Sequence, residues 1–580
     1  MNDRTPALGK LYLVPAPLDF GCATQSPITD VLPELTLRTA ARLQHWVCEN
    51  AKSTRAYLKR VGEHVPLSLP LQQQNLQLPE YFQGRFDFSA IGVGKYRLFI
   101  IVICALLTVG LQLILSKTRF GSRLRAAVDD PRVASGLGLN VNRIFMLTFA
   151  VGSGLAGLGG ALQTPRLAAS PHMDIAIITE AFVVTVVGGM GSLPGAFVAA
   201  LLIAELKALC IWIGLVEVGG VALSFSKLTL VVEFVVMAVV LVWRPWGLMG
   251  KPQAPARAAG DTEAPLKAAG PAARTAWLAL LAALVLLPMA AGAWPYATVL
   301  AADVLVAALF AASLHFLMGP AGLHSFGHAA YFGLGAYAAA LLVRAAGLPM
   351  EAALLLAPLV AALGALVYGW FCVRLSGVSL TMLTLAFAQM LFFVAVGLKQ
   401  YGGDEGLSIA KLSSFGALTG SKTALYLSVL AALAVALLLL RRVVASRFGL
   451  VLRATMINER RVNAVGTPPL GYRLVGYVVS ALLCALAGFF LANLTSFASP
   501  AYMAWTVSGE LIVMVLLGGM GTLMGPVVGA LVFLLLEEGL KGLTDHWLAI
   551  MGPVIVLIVL FLKNGLWGIL SDAPAARGGR

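Results

Sequence analysis

Two arginine-rich stretches of the sequence could bind an acidic protein surface. Each lies between two long apolar runs, so the positive-inside rule predicts that both lie on the cytoplasmic side of a membrane. Arginines there can pair with the acidic rim of a partner, while an ordinary cytoplasmic loop without a partner is the alternative. The basic residues are Lys117, Arg119, Arg123, Arg125, Arg132 and Arg143 in the first stretch, and Arg441, Arg442, Arg447, Arg453, Arg460, Arg461 and Arg473 in the second.

Polar residues inside the apolar runs form the second set that could do chemistry. Such residues often mark a transport pathway or pair with one another. Helix capping, helix packing, hydroxyl bonds to backbone carbonyls and a position at the membrane interface are the alternatives. The candidates for a substrate pathway are His324, Ser325, His328, Thr381, Thr384, Glu180 and Glu510.

Glycine pairs interrupt two of the apolar runs, at Gly188 and Gly189 and again at Gly518 and Gly519. Broken helices expose backbone groups that suit the carboxylate and ammonium of an amino acid. A tight helix-packing turn is the alternative, since glycine allows close approach of two helices.

Elements of other chemistries are missing from the sequence. It has no serine–histidine–aspartate set and no cluster with metal-ligand spacing, so no catalytic residue, metal or cofactor is predicted. The stretch 416–423 has serine where a phosphate-binding loop needs its second glycine. We therefore expect no enzymatic activity, and the energy for any transport must come from another chain.

The elements that position these residues occur twice. Residues 119–195 and 447–525 each begin with Arg-Phe-Gly and Leu-Arg-Ala. Each then has a polar run ending in glycine, a Leu-Ala-Gly step, a lone glutamate and a Gly-Gly-Met-Gly break. The shared order over roughly 80 residues predicts two homologous membrane units in one chain.

Composition places both units in a lipid bilayer. Of 580 residues, 59% are hydrophobic and only 12% are charged, about half the charge of a soluble protein. The net charge of +14 is assigned to cytoplasmic loops rather than to binding of nucleic acid. The prediction is an all-α polytopic membrane protein.

Four segments are predicted along the chain: 1–80, a first unit at 90–248, a cytoplasmic linker at 249–274 and a second unit at 275–570. The second unit has six apolar runs before its basic loop and four after it. The first has one before and four after. We infer that the first unit lacks its front half.

The first basic loop resembles the coupling loop of branched-chain amino acid ABC importer permeases. The resemblance rests on Arg125, Ala126, Asp129 and Asp130, followed by Pro-Arg-Val-Ala and a Leu-Gly-Leu-Asn step that contains Gly138. In the second loop, Arg453, Ala454 and Gly466 carry a weaker version without Asp-Pro. The resemblance implies that both loops dock on ATP-binding cassette subunits.

Other stretches resemble the same family. Residues 319–337 are similar to the front of its M-type permease and 402–408 to the extracytoplasmic loop of that permease, while the first unit is similar to the back half of the H-type. Membership implies two permeases, two ATPase subunits, a periplasmic amino-acid-binding protein and the bacterial inner (cytoplasmic) membrane. An intact permease subunit is a further candidate partner. An ion-coupled secondary transporter and an inactive fusion fragment are the alternatives.

The N-terminal segment resembles a different family. Residues 10–18 and 49–60 are similar to the opening of an S-adenosylmethionine-dependent methyltransferase of the tetrapyrrole-methylase-like family. The glycine-rich cofactor turns of that family have no counterpart here. An inert remnant is therefore predicted, with a membrane-anchored methyltransferase as the alternative.

Overall fold

The computed structural model is almost entirely helical, and the predicted all-α polytopic fold is confirmed. The structure describes residues 37, 80–82, 84–88, 91–166, 173–218, 221–250, 271–290, 295–398, 401–408, 422–544, 546–561 and 565–567. Nearly all of the methyltransferase-like segment, most of the linker and residues 416–421 lie outside the described residues. The predicted domain boundaries remain predictions.

The chain divides into two compact bodies, residues 1–174 and 175–580, which differ from the two predicted permease units. The described part of the first compact body begins with a short 3₁₀ helix, Glu80–Phe82, and an antiparallel hairpin. Its elements are β1 (Arg85–Phe88), β2 (Ile91–Gly94), α1 (Lys95–Lys117), α2 (Arg119–Asp129), α3 (Pro131–Gly136) and α4 (Val141–Gln163).

The second compact body, residues 175–580, contains the back half of the first repeat copy and the whole second copy. Its first elements are α5 (Met173–Gly188), α6 (Leu193–Ile213), β3 (Leu215–Val218), β4 (Val221–Ser224) and α7 (Phe225–Trp243). The elements that follow are α8 (Pro271–Leu286), α9 (Pro295–Met318), α10 (His328–Arg344), α11 (Met350–Cys372), α12 (Val378–Gly397), β5 (Leu407–Ser408), α13 (Lys422–Ala445), α14 (Arg447–Ala464), α15 (Pro469–Thr495), β6 (Phe497–Ala498), α16 (Trp505–Gly518), α17 (Gly525–Leu543) and α18 (Trp547–Phe561).

The two copies correspond element by element. Helix α1 matches α13, the pair α2–α3 matches α14, and α4 matches α15. The back-half helices α5, α6 and α7 match α16, α17 and α18. Helices α8–α12 have no counterpart ahead of α1 among the described residues.

Eight helices in the described part of the chain are long and apolar enough to cross a membrane. The apolar helices α5, α7, α16 and α18 are shorter. The 14 residues of α16 extend only about 21 Å, against about 30 Å of hydrocarbon. The glycine break that follows α16 therefore lies within or close to the apolar layer.

Helix α15 lies at the centre of the second copy, where it packs against α9, α10 and α11. Small residues allow a very close approach to α10. A Cβ added to Gly488 would overlap the carbonyl of Phe332, and a Cβ added to Gly335 would overlap the carbonyl of Ala485. These helices are in backbone contact, as small residues permit in membrane proteins.

The back half of the first copy packs on the second copy through α7 and α12. The rings of Phe234 and Phe393 stack with centroids 5.9 Å apart. The hydroxyl of Ser379 donates to the carbonyl of Pro245 over 3.2 Å. Phe234 is fully buried, so this contact belongs to the core of the second compact body, residues 175–580.

Candidate functional site

The first basic loop folds as two short helices that meet at Asp130. Asp130 has an extended backbone (φ −149°, ψ 99°). Its Oδ1 accepts hydrogen bonds from the N–H groups of Arg132 (2.9 Å) and Val133 (3.1 Å), so it caps α3. Gly138 then closes the loop with φ 84°, a value that favours glycine.

The second basic loop repeats this geometry with different residues. Asn458 interrupts α14 with φ −158° and ψ 96°, and its Oδ1 accepts a hydrogen bond from the N–H of Arg461 (3.0 Å). Gly466 closes the loop with φ 86°. The second loop lacks Asp-Pro, but asparagine supplies an equivalent cap oxygen.

Both loops start by folding back on the membrane helix before them. An added Cβ at Gly121 or Gly449 would overlap backbone atoms in the last turns of α1 or α13. The hydroxyls of Thr118 and Ser446 accept the N–H groups of these glycines over 3.3 and 3.4 Å. The repeated Arg-Phe-Gly sequence is thus explained by its glycine, which allows the close turn.

The outer face of the first loop presents basic and apolar side chains together. Val128 is 64% exposed and Val133 is 59% exposed, whereas Ala127 is fully buried beneath them. Arg125, Ala126 and Asp129 are also exposed. The guanidinium of Arg125 donates to the carbonyl of Leu115, which ties this arginine to the end of α1.

The second loop is held more tightly to its bundle. Arg453 and Ala454 are half-buried. Met456 packs against Gly322, where an added Cβ would overlap its side chain. This contact joins the loop to the segment 319–327, which connects α9 to α10.

An ion pair also anchors the second loop. Arg473 on α15 lies 2.9 Å from the carboxylate of Glu459, and the arginine side chain is only 8% exposed. The matching turn of the first copy contains Arg143, which is exposed. The first loop is therefore the freer of the two.

A buried hydrogen-bond chain runs from His328 into the bundle. His328 Nε2 lies 2.7 Å from Ser480 Oγ, and Ser480 Oγ donates to the carbonyl of Ser313 over 2.6 Å. Because the one hydroxyl proton of Ser480 is used there, His328 must donate from Nε2. Its Nδ1 is then an acceptor with no hydrogen-bond partner among the described residues.

The neighbouring predicted residues have different surroundings. Ser325 is fully buried, and its Oγ accepts the N–H of Gly327 over 3.1 Å. The side chain of His324 is exposed. Of His324, Ser325 and His328, the last two lie inside the bundle.

The threonine hydroxyls bond to backbone carbonyls, which was one of the two interpretations of the sequence. Thr381 donates to Gly377 over 3.1 Å and Thr384 donates to Thr381 over 2.8 Å. Thr384 Oγ1 also accepts the N–H of Phe326 over 3.2 Å. The threonines therefore hold the segment 319–327 against α12.

The first glycine break is a backbone-to-backbone crossing of α5 and α6. A Cβ on Gly188 would overlap the backbone of Gly195, and Gly189 has φ 102°. The carbonyls of Val187 and Gly188 accept the N–H groups of Leu248 (2.8 Å) and Met249 (3.1 Å). Backbone groups that a ligand would need are thus partly bonded within the chain, and the geometry favours the helix-packing interpretation.

The second break has the same crossing and a different polar partner. Gly518 is in backbone contact with Gly525, and Gly519 has φ 101°. The Nε2 of His315, on α9, lies 3.0 Å from the carbonyl oxygen of Met520. A buried imidazole thus bonds a carbonyl of this break.

Glu180 belongs to an ion-paired group on α5, α6 and α7. Lys207 Nζ lies 2.9 Å from a carboxylate oxygen of Glu180 and 2.6 Å from one of Glu233. The Glu233 side chain is 7% exposed and that of Glu180 is 58% exposed. Glu510, which matches Glu180 in the second copy, is exposed on α16.

The structure thus groups the predicted pathway residues only in part. Ser325, His328, Thr381 and Thr384 gather where α10 begins, while Glu180, Glu510 and the glycine breaks lie elsewhere. The sequence analysis did not identify three polar partners, which are Lys207, His315 and Ser480. An ionisable residue within an apolar run was a readable signal for Lys207 and His315, whereas Ser480 carries no such signal.

The described chain has repeated helices, two basic loops and interrupted apolar helices, features that are typical of membrane transport proteins. The family described as "Branched-chain amino acid transport system / permease component" matches residues 69–241 and 296–560. These segments make up more than half of the chain. The chain belongs to this family.

Three curated relatives illustrate the similarity. The high-affinity branched-chain amino acid transport system permease protein BraD of Pseudomonas aeruginosa is 30% identical over 182 residues, which cover 30% of this chain and 56% of BraD. LivH of Escherichia coli is 27% identical over 223 residues, covering 37% and 69%. LivM of the same organism is 26% identical over 314 residues, covering 49% and 74%. No solved structure matches the chain.

Proposed function

We propose that the chain is the transmembrane permease component of an ATP-driven ABC importer for branched-chain or related amino acids. Its partners are ATP-binding cassette subunits and a periplasmic amino-acid-binding protein, and it resides in the bacterial inner membrane. ATP binding on the partners would move the two basic loops and reorient a substrate cavity near the middle of the membrane.

The observation that carries the proposal is the shared geometry of these loops. Their sequences differ at Asp130 and Asn458, yet both residues are extended and both cap the helix that follows. The two loops keep the same local fold although their sequences differ. This suits elements that must dock in the same way on the ATP-binding cassette subunits. The family and its relatives, whose printed names are branched-chain amino acid permeases, support the substrate class.

The proposal includes the origin of the segments. Residues 90–248 correspond to an H-type permease that lacks its front half, and 275–570 correspond to a complete M-type permease. Residues 249–274 tether them, and 1–80 are a methyltransferase-like remnant without activity. Relatives of both types, LivH and LivM, are similar to parts of the chain, which supports a fusion of the two types.

Charge reversal in the loops tests the docking role. We expect Arg125→Glu and Arg453→Glu to lower the amount of ATPase subunit that co-purifies in detergent by about tenfold, or about 1.4 kcal/mol. Arg132→Glu repeats the test at an exposed arginine. The matched control is Arg344→Glu, an exposed arginine at the predicted extracytoplasmic end of α10. Equal co-purification of all four variants would contradict docking through these loops.

One observation favours the ion-coupled secondary transporter. The group formed by Glu180, Lys207 and Glu233 places titratable side chains together in apolar helices, as such transporters require. Uptake assays in cells separate the two functions. Inhibition by vanadate supports the ABC importer, whereas inhibition by an uncoupler without any ATPase subunit supports the secondary transporter. Absence of uptake with every partner present would support the inactive fragment.

A further inference from the structure

A non-helical stretch, residues 496–504, joins α15 to α16 and is called the connecting segment below. Ser496 has φ 54° and ψ 31°, and it is the one non-glycine residue with positive φ in the described part of the chain. Strand β6 and a 3₁₀ turn, Pro500–Met503, follow before α16 begins. A strained backbone of this kind persists only where the surrounding structure holds it, so the connecting segment is held in place.

The connecting segment packs against α10 and α12 deep within the bundle. A Cβ added to Gly333 would overlap the side chain of Met503, and the ring centroids of Tyr502 and Phe332 lie 6.2 Å apart, edge to face. Gly333 lies about 16 Å along α10 from the predicted extracytoplasmic end at Arg344, at about 1.5 Å per residue. Since the hydrocarbon layer is about 30 Å thick, the segment extends to roughly the middle of the bilayer.

Hydrogen bonds within the connecting segment satisfy backbone groups at that depth. The N–H groups of Tyr502 and Ala504 donate to the carbonyls of Ser499 and Ala501 over 3.2 and 3.1 Å. Non-helical backbone at membrane depth is tolerated only where protein buries it or where it lines a water-filled cavity. The contacts of Tyr502 and Met503 with α10 are apolar, so the turn can move away from α10 and keep these hydrogen bonds.

A short strand pair ties the outer end of the connecting segment to another loop. In the antiparallel pair β5–β6, Leu407 pairs with Ala498 and Ser408 pairs with Phe497. Gly406 precedes β5 with φ 81°, and a Cβ added there would overlap the carbonyl of Ala498. The loop before β5 is predicted to be extracytoplasmic, so the tie lies on that side of the segment.

The loop before β5 is itself fixed to α12. The N–H groups of Tyr401 and Gly403 donate to the carbonyl of Leu398, the residue that follows α12, over 3.0 and 3.2 Å. A Cβ added to Gly402 would overlap the carbonyl of Gly406, so the loop is closed tightly. Because α12 holds β5, the β5–β6 pair holds the connecting segment against the bundle.

Buried polar groups lie beneath the connecting segment, at the start of α10. His328 lies about 7 Å farther along α10 from the extracytoplasmic end than Gly333 does. Cys484 Sγ donates to the carbonyl of His328 over 3.0 Å, and Ser508 Oγ accepts the N–H of Ala329 over 3.0 Å. The side chains of His328, Cys484 and Ser508 are fully buried. The connecting segment therefore separates the predicted pathway residue His328 from the extracytoplasmic side.

We propose that the connecting segment is the extracytoplasmic gate of the second bundle. In the closed arrangement Met503 packs on Gly333, and the β5–β6 pair holds the outer end of the segment. Opening separates β6 from β5 and moves the turn away from α10, so that an amino acid reaches the polar groups around His328. The inference rests on the proposed transport function, and it names the part of this chain that would admit the substrate.

Thiol labelling tests the gate without transport and without a partner. The full chain in lipid nanodiscs is treated with a hydrophilic maleimide, and mass spectrometry follows each native cysteine. Gly406→Val removes the room that β6 needs and should speed the labelling of Cys484 at least tenfold. Cys372, equally buried at the end of α11, reports general unfolding and should stay protected. The matched control is Gly347→Val, because Gly347 also has positive φ, 61°, but no described atom lies within 4 Å of an added Cβ.

Three outcomes of the labelling would overturn the proposal. The first is unchanged labelling of Cys484 in the Gly406→Val chain. The second is an equal rise at Cys372, which would show unfolding of the bundle rather than opening of a gate. The third is an equal rise at Cys484 with Gly347→Val, which would assign the effect to backbone strain alone.

A disulfide tests the gate in the opposite direction. Ser408→Cys with Phe497→Cys places two thiols on paired residues, which share one face of the strand pair at a separation that a disulfide spans. In proteoliposomes with the ATP-binding cassette subunits and the amino-acid-binding protein, we expect oxidation to lower uptake at least tenfold and reduction to restore it. Co-purification of the ATPase subunits should not change. The two single variants are the matched controls and should be insensitive to oxidation.

The disulfide experiment separates failure of the gate from failure of the transport function. Equal uptake by the cross-linked and the reduced chain would overturn the gate. Absence of uptake by the reduced and the original chain alike would contradict the proposed transport function instead. The labelling of Cys484 then still decides whether the connecting segment closes the bundle.

Discussion

The two repeat copies fold alike in their loops and differ in what surrounds their membrane helices. The caps at Asp130 and Asn458 and the positive φ of Gly138 and Gly466 are the same in both. The helices α4 and α15 that follow are bare and buried, respectively. Loop geometry is therefore specified locally by caps and glycines, whereas the burial of α15 comes from its packing against α9, α10 and α11.

The back halves differ in their polar groups. Gly247 packs on Gly189 and Gly565 packs on Gly519, which aligns α7 with α18. In this alignment the second copy has Met551, 3% exposed, at the position of Glu233. The first copy thus has a buried glutamate in its ion-paired group at a position where the second copy has an apolar side chain.

The largest expected effect tests that difference. Lys207→Met leaves the buried carboxylate of Glu233 without its cation. Removing one partner of a buried ion pair costs about 3–5 kcal/mol. We expect this loss in the free energy of unfolding, measured by denaturant titration in mixed micelles.

The matched variant is Lys207→Met with Glu233→Met. Since apolar replacement of a whole buried pair is often neutral or stabilising, the double variant should recover most of the loss. Glu180 remains in both variants, and its exposure keeps its cost small. A double variant as unstable as the single one would show that the ion pairs of the first copy are not interchangeable with the apolar packing of the second.

The next prediction concerns the bare and covered helices. Gly488→Leu forces a side chain into the backbone of α10 and should cost roughly 3 kcal/mol, the upper end for overpacking. Gly157→Leu, at the matching position of α4, should change the free energy of unfolding by less than about 0.5 kcal/mol. Thermal unfolding in detergent measures both. Equal losses would mean that α4 is covered in the isolated chain.

Particular residues show which features the sequence could predict and which it could not. Apolar runs predicted membrane-crossing helices, because about 20 apolar residues are what a bilayer requires, and the described part of the chain has eight helices of that kind. Glycines 138 and 466 were predicted as loop ends, and both have positive φ. The pairing of Lys207 with Glu180 and Glu233 could not be predicted, since its partners lie 27 and 26 residues away in sequence and only the packing of three helices joins them. The second loop was predicted to be the weaker match because it lacks Asp-Pro, yet the side-chain oxygen of Asn458 caps its helix as that of Asp130 does in the first loop.

A smaller effect is expected at the anchor of the second loop. Glu459→Gln removes the carboxylate beside the guanidinium of Arg473, which is 8% exposed. Since Glu459 itself is 45% exposed, water replaces part of the interaction, and we expect a loss of about 1 kcal/mol rather than the value for a fully buried pair. Arg143→Gln in the first copy should have no measurable effect on unfolding, because Arg143 is exposed. A similar loss for both would show that the first loop is anchored as firmly as the second.

The smallest effect tests whether the two caps are equivalent. Asp130→Ala and Asn458→Ala should each cost about 1 kcal/mol of local helix stability, seen as faster amide hydrogen exchange in residues 131–136 and 459–464, respectively. Asn458→Asp should leave exchange unchanged or slow it, because a carboxylate also favours the helix N-terminus. If Asn458→Ala leaves the exchange of the Arg461 amide unchanged, α14 is held by Glu459 and Met456 alone, and the loops of the two copies keep one shape for different physical reasons.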